Sequence, residues 1–211
     1  MKPPPFAIRL ILASSSPRRA ALLRAAGYGF DVVSPVLEEP ADLVPETTPV
    51  QRAQALSYFK AAAVAKGRTA GIVLGADTVV ALNDRAFGKP ADAADARRIL
   101  GELTGTTHQV ITGLTLLDCA NGRRIITHDV TIVTMRTLEP DELDAYILSE
   151  AWVGKAGAYG VQDRADAFIT HLEGSYSNVV GLPMELLGNT ISVLHATAQA
   201  PAAQGGLRDG R

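Results

Sequence analysis

Cysteine occurs once in these 211 residues, at Cys119, which excludes an intrachain disulfide framework and a cysteine-rich zinc site. The four histidines, His108, His128, His171 and His195, are too scattered for a zinc motif. Charge of one sign is not in excess either, with 20 basic against 22 acidic side chains. No general positive field therefore draws the chain to nucleic acid or to an anionic membrane, and any phosphate it binds has to be held by a local cluster. No uninterrupted apolar run reaches the ~18 residues needed to cross a bilayer. The proline-rich start, Met1 to Pro5, lacks the charged-then-apolar pattern of a secretory leader. A soluble cytoplasmic protein with no nucleic-acid and no membrane partner is expected. Familiar nucleotide devices are missing as well. Gly88-Lys89 and Gly154-Lys155 lack both the upstream glycine and the following hydroxyl of a phosphate-binding loop. No G-x-S-x-G elbow occurs, and Gly27-Tyr28-Gly29 follows a helical pattern instead of a strand.

What is there is the make-up of an ordinary globular chain, 47% apolar and 20% charged, which the ~150-residue yardstick assigns to one domain or a two-lobed one. Ile8 to Ala13 reads as a buried strand. Ser14-Ser15-Ser16-Pro17 ahead of the Ala/Leu-rich run Arg18 to Ala26 is a helix start, with serine as N-cap and proline in the first turn. Gly27 ends that helix and Phe30 to Ser34 begins a second strand. A helix is expected over Thr48 to Lys66, carrying Lys60 among alanines, then a β-branched strand over Gly71 to Leu82 that turns at Asn83-Asp84. A helix from Ala93 to Leu103 precedes two alternating strands, His108 to Leu117 and Arg124 to Met135, with the hairpin signal Asn121-Gly122 between them. A short helix over Pro140 to Leu148, a glycine-rich stretch from Gly154 to Gly160 leading into Phe168 to Glu173, and a helix over Leu182 to Thr197 complete the pattern. Strands alternating with helices predict an α/β fold with a central mixed, twisted sheet flanked by helices. Residues 6–197 are expected to form a single domain, and 198–211, poor in side chains that pack, a mobile tail.

Four constellations can carry chemistry. The turn Ser14-Ser15-Ser16-Pro17-Arg18-Arg19 leaves a strand and enters a helix, where free N–H groups and the helix dipole favour an anion, and Ser14, Ser16 and a guanidinium complete the site. The plainer alternative is a serine cap with both arginines in solvent. Asp77, flanked by strand-forming residues, is costly to bury unpaired and needs a cation, strong hydrogen bonds or a role as general base or metal ligand. Otherwise the strand stops at Ala76 and Asp77 forms a turn. Lys60, Lys89 and Lys155 are each candidates for the solvated surface, yet Lys89 and Lys155 adjoin glycine, which lets backbone approach a ligand. Gln162, in Ala158-Tyr159-Gly160-Val161-Gln162, both donates and accepts, which suits a base edge or a water as well as a plain surface. His108, Glu38, Glu39 and Glu173 are further acid–base or metal candidates that strand ends and solvated faces explain equally.

Taken in order, Leu12-Ala13-Ser14-Ser15-Ser16-Pro17-Arg18-Arg19, Gly75-Ala76-Asp77-Thr78, Gly88-Lys89-Pro90, Gly154-Lys155-Ala156-Gly157-Ala158-Tyr159-Gly160-Val161-Gln162 and Tyr176-Ser177-Asn178-Val179-Val180-Gly181-Leu182-Pro183 resemble the Maf family, nucleoside triphosphate pyrophosphatases once described as septum-formation inhibitors. The resemblance runs from Leu10 to Leu194. It implies a sheet bent into two lobes around a nucleotide-binding cleft, in the inosine triphosphatase (ITPase)-like manner, and hydrolysis of a nucleoside triphosphate between its α and β phosphates with a divalent cation. The Pro17-Arg18-Arg19, Thr107-His108-Gln109-Val110 and Ala158 to Gln162 segments look like the branch acting on dTTP and UTP, not the one acting on 7-methyl-GTP. Residue by residue, the resemblance implies Asp77 as proton acceptor, with Arg18, Thr78 and Gln162 important for activity or substrate choice. It departs from the family after Gln162, where Asp163-Arg164-Ala165-Asp166 stands in place of a usual glycine. A homodimer is also implied.

Cleaving a triphosphate requires its charge to be neutralised and a water aligned in line with the leaving group. Arg18, Lys60, Lys89 and Lys155 are expected to supply positive charge and Ser14 to Ser16 hydrogen-bond donors. A Mg²⁺ or Mn²⁺ ion would be held partly by Asp77 and by Glu38 or Glu39. The rival reading is a non-catalytic nucleotide- or partner-binding regulator of septation, which would tolerate loss of the Asp77 carboxylate.

Overall fold

The computed structural model describes residues 9–36, 47–162 and 167–198. Glu38, Glu39, the segment 163–166 and residues 199–211 of the expected tail lie outside the described residues. In chain order the elements are β1 (Leu10–Ala13), α1 (Pro17–Ala25), β2 (Phe30–Val32), α2 (Pro49–Ala65), β3 (Ile72–Leu82), β4 (Arg85–Phe87), α3 (Ala93–Leu103), β5 (Thr107–Asp118), β6 (Arg124–Met135), α4 (Pro140–Leu148), a 3₁₀ turn (Ala156–Ala158), β7 (Ile169–Glu173), α5 (Tyr176–Val180) and α6 (Met184–Ala198). Among the described residues seven strands form one sheet in the order β2-β1-β3-β5-β6-β7, with β4 also on β3. β1 runs parallel to β2 and β3, whereas β3, β5, β6 and β7 are antiparallel in succession, so the expected mixed sheet is present.

Several element ends differ from expectation by one residue, and the larger differences are at β2 and around α5 and α6. The second strand stops at Val32 instead of Ser34, because β1, its strand partner among the described residues, pairs with it only as far as Val32. A separate helix, α5, precedes α6, which begins at Met184 instead of Leu182. α5 is five residues long and is started by Ser175, whose hydroxyl accepts from Asn178 N. It is too short to write a helical period into the sequence.

Side chains alternate across each strand and sort the core into faces. Ile11, Val73, Val79, Ala81 and Ile111 face α2, meeting Ala53, Ala61 and Val64. The opposite face holds two separate blocks. One packs Leu10, Leu12, Leu74 and Ala76 against α1 and α6 through Leu23, Leu187 and Ile191. The other packs Val80, Val110 and Val133 against α3 and α4 through Ile99, Leu100, Leu103 and Ile147. Along β3 the division falls between Ala76 and Val80, and that is where the site lies.

α2 lies unusually close to the sheet. A Cβ on Gly75 would sit 2.1 Å from Ser57 O, and one on Gly113 would sit 2.1 Å from Ala53 O. The small residues Ala53, Ser57 and Ala61, one turn apart on α2, are all fully buried and make the other half of this fit. The adjacent Lys60 is carried in with them.

Candidate active site

β5 covers one edge of β3 from Ile72 to Ala81. On the other edge β1 pairs only as far as Gly75, and β4 takes over only at Val80. Ala76 to Val79 therefore have no strand on that edge among the described residues, and the Ser14–Ser16 turn passes there into α1. A cleft of about 360 Å³ opens at this gap. Its lining includes Ser14, Ser16, Arg18, Lys60, Asp77, Thr78, Lys89, Lys155 and Gln162. Nine residues singled out from the sequence, contributed by widely separated segments, thus meet in one place.

Asp77 stands within β3, not at a turn, paired in register with Gly113. Its Oδ1 accepts Lys60 Nζ from α2, with both side chains only 12% exposed. Burying either charge alone would be costly, so the pair explains how a carboxylate is tolerated inside an apolar strand. Thr78, the next residue, points to the other face of the sheet. Its Oγ1 lies 2.9 Å from Thr112 Oγ1 and accepts from Arg19 Nη2 at 3.2 Å. Thr112 spends its own proton on Asn178 O at 3.1 Å, so Thr78 must donate to Thr112 and its hydroxyl polarity is fixed.

Arg19 is the residue that sequence reasoning passed over. Its guanidinium donates to Gly181 O at 2.7 Å, Ser14 Oγ at 3.0 Å and Thr78 Oγ1 at 3.2 Å, joining the first turn of α1 to β3 and to the end of α5. Burial lowers its pKa, with Asp77 opposing that effect and Arg18 adding to it. Arg18 is more open, and donates from Nη2 to Gly154 O at 3.0 Å across the cleft mouth. The expected serine cap is absent: the Ser16 hydroxyl makes no capping bond, and the Ser14 hydroxyl instead receives Ser16 N at 3.2 Å as well as Arg19. Lys155 donates to Ala151 O.

Two further candidates stand apart. His108 is 2% exposed and faces Tyr159 behind the cleft, where it cannot serve as a cleft acid or base. Glu173 is exposed on β7. Among the described residues no group of three or more His, Cys, Asp and Glu side chains could hold a metal ion. Asp77 is the one carboxylate lining the cleft among them. Among the described residues a single carboxylate, that of Asp77, is thus the donor that would hold a small hard cation, which commonly keeps several waters and takes substrate phosphate oxygens as ligands.

Residues 9–194 match the family described as Maf-like protein. The chain belongs to that family. Relatives of this Maf-like protein include the "dTTP/UTP pyrophosphatase" of Ruminiclostridium cellulolyticum, 41% identical over 88% of this chain and 96% of that one. Another, with the same name, from Pelotomaculum thermopropionicum, is 44% identical over 86% of this chain and 94% of its own. Among solved structures, a HAM1 protein from Coxiella burnetii superposes with a TM-score of 0.50 over 88% of this chain and 99% of that one, at 18% identity. That likeness concerns the fold. No helix among the described residues of this Maf-like protein is long and apolar enough to cross a membrane.

Proposed function

We propose that the chain hydrolyses dTTP and UTP between the α and β phosphates, releasing pyrophosphate and the nucleoside monophosphate in the cytoplasm. The observation that carries this is the Lys60-paired Asp77 carboxylate at the uncovered stretch of β3, in a cleft walled by the Ser14–Arg18 turn, Lys89 and Lys155. Relatives about 40% identical and carrying the name dTTP/UTP pyrophosphatase support the choice of substrate.

In this reading the cations Arg18, Lys89 and Lys155 and the donors of Ser14 and Ser16 hold the triphosphate and offset its charge. Lys60 fixes the Asp77 carboxylate in place. Asp77 accepts a proton from the water that attacks the α phosphorus, and the electrons of the broken bond leave with pyrophosphate. Asp77 together with phosphate oxygens would hold a Mg²⁺ or Mn²⁺ ion, whose contribution when bound is to neutralise phosphate charge. Thr78 works by fixing Arg19. Gln162 offers an amide to the pyrimidine carbonyl at C4, where cytosine presents an amino group instead, and a site built for one hydrogen-bond pattern strongly rejects the other.

The test is pyrophosphate release from dTTP, UTP, CTP and 7-methyl-GTP, with and without Mg²⁺ or Mn²⁺. dTTP and UTP are expected to turn over preferentially. Asp77→Asn should keep the fold and nucleotide binding and lose ~10²–10⁴ in kcat. Undiminished turnover by that folded variant would refute the assignment and favour a binding protein.

A further inference from the structure

Tyr159 lines the cleft and is 4% exposed, and its phenol meets His108 Nε2 at 2.7 Å. Thr106 Oγ1 donates its one proton to Leu103 O at 2.7 Å, so toward His108 Nδ1, 3.3 Å away, it can only accept. Nδ1 therefore carries the imidazole proton. Nε2 is left as the acceptor, and Tyr159 donates to it. Burial raises the Tyr159 pKa and lowers that of His108 to about 4, so both partners are neutral near pH 7, as this chain of donors requires.

The bond closes over a strained turn. Gly157 and Ala158 are consecutive left-handed residues, with φ of 68° and 63°, and alanine lacks the glycine freedom that makes such a conformation ordinary. Gly157 N donates to Gly88 O at 3.0 Å. A Cβ on Gly157 would come within 2.6 Å of Val80 Cγ2 and 3.2 Å of Tyr159 Cε1, so the tyrosine ring rests on the turn itself. The ring meets His108 edge-on, with centroids 5.5 Å apart. Gly160, Val161 and Gln162, the next residues, line the cleft.

We infer that His108 is a positioning residue which, through the Tyr159 hydroxyl, latches the 157–162 segment into the shape that receives the pyrimidine nucleotide. The substrate in that statement rests on the function proposed above; the latch does not.

The test compares Tyr159→Phe, His108→Phe and the double variant with the unaltered chain in steady-state hydrolysis of dTTP and in hydrogen exchange. Each single change should raise KM roughly tenfold, the effect of one lost hydrogen bond in a binding segment. It should lower kcat by no more than about threefold. The double variant should be no worse than the worse single one, since both changes remove the same bond. Amides of 157–162 should exchange faster in all three, and by a larger factor than those of β3 and β5, which report only the change in global stability. Additive effects on KM, or exchange in 157–162 that stays at the unaltered rate, would overturn the latch. An unaltered chain that leaves dTTP intact would count against the proposed function only, and the exchange rates would then decide the latch alone.

Discussion

A single guanidinium, that of Arg19, sets the relative placement of three segments by bonding Ser14, Thr78 and Gly181 at once. An ammonium cannot reproduce that fork, because its three donors radiate from one point while those of a guanidinium lie in a plane on separate nitrogens. Arg19→Lys is expected to cost about 2–3 kcal/mol of stability, the value of hydrogen bonds from a charged group. It should also lower kcat/KM for dTTP, since Thr78 and the Ser14 turn are released together. Arg18→Lys should cost at most about 0.5 kcal/mol, because the hydrogen bond it makes among the described residues, to Gly154 O, is exposed. Urea denaturation of the two variants side by side checks the contrast. The sequence placed both arginines beside a candidate anion site, and the family resemblance singled out Arg18, leaving Arg19 without a role. Neighbours on a helix point about 100° apart. What selects Arg19 is a carbonyl 162 positions away, just past the end of a helix the periodicity never revealed.

At the scale of elements, the close seating of α2 on β3 and β5 is what brings Lys60 to Asp77. Gly113→Ala would place a methyl group 2.1 Å from the Ala53 carbonyl oxygen, which can yield only by moving the helix. A destabilisation of about 1–3 kcal/mol is expected from overpacking, together with a fall in kcat larger than the loss of folded protein explains, as Lys60 is drawn off Asp77. Gly101→Ala, in α3 with nothing within 4 Å of the new methyl, serves as the control and should stabilise by about 0.5–1 kcal/mol. Melting curves paired with dTTP turnover would distinguish the two. Most of the elements were legible here, because 3.6- and 2-residue periods and the proline, glycine and Asn-Gly punctuation are local properties. So was Asp77 as a residue in need of a partner. The gap that makes a cleft was not legible. It exists because β1 stops at Gly75 while β4 starts at Val80, and such pairing limits are written in the lengths of strands far apart in the chain. Gly113 also carried no local signal, since its neighbour is a helix some 60 residues upstream.

For the molecule as a whole, stability depends on pH through the groups whose pKa the fold shifts, among them buried His108 on β5 and exposed Glu142 on α4. Burial lowers the His108 pKa from 6.5 to about 4, so between those values the unfolded chain binds more protons than the folded one. Stability then rises with pH across that window, is complete above about 6.5, and is lost as pH falls towards 4; a shift of this size corresponds to about 3 kcal/mol. Glu142 on α4 is held at about 2, below its ordinary 4.5, first by its hydrogen bonds to Arg136. Its exposed contribution is present above 4.5 and fades only as pH falls towards 2. Between pH 7 and pH 5 the His108 effect therefore stands apart from that of Glu142. Because His108 also backs the 157–162 wall of the cleft, acid should loosen that wall as pH approaches 4, where the folded His108 takes up its proton, and raise KM for dTTP there. His108→Phe should be less stable than the unaltered chain at pH 7 yet change little between pH 7 and pH 5, as urea midpoints at the two values would report. Equal losses in both chains over that interval would place the proton uptake somewhere other than His108.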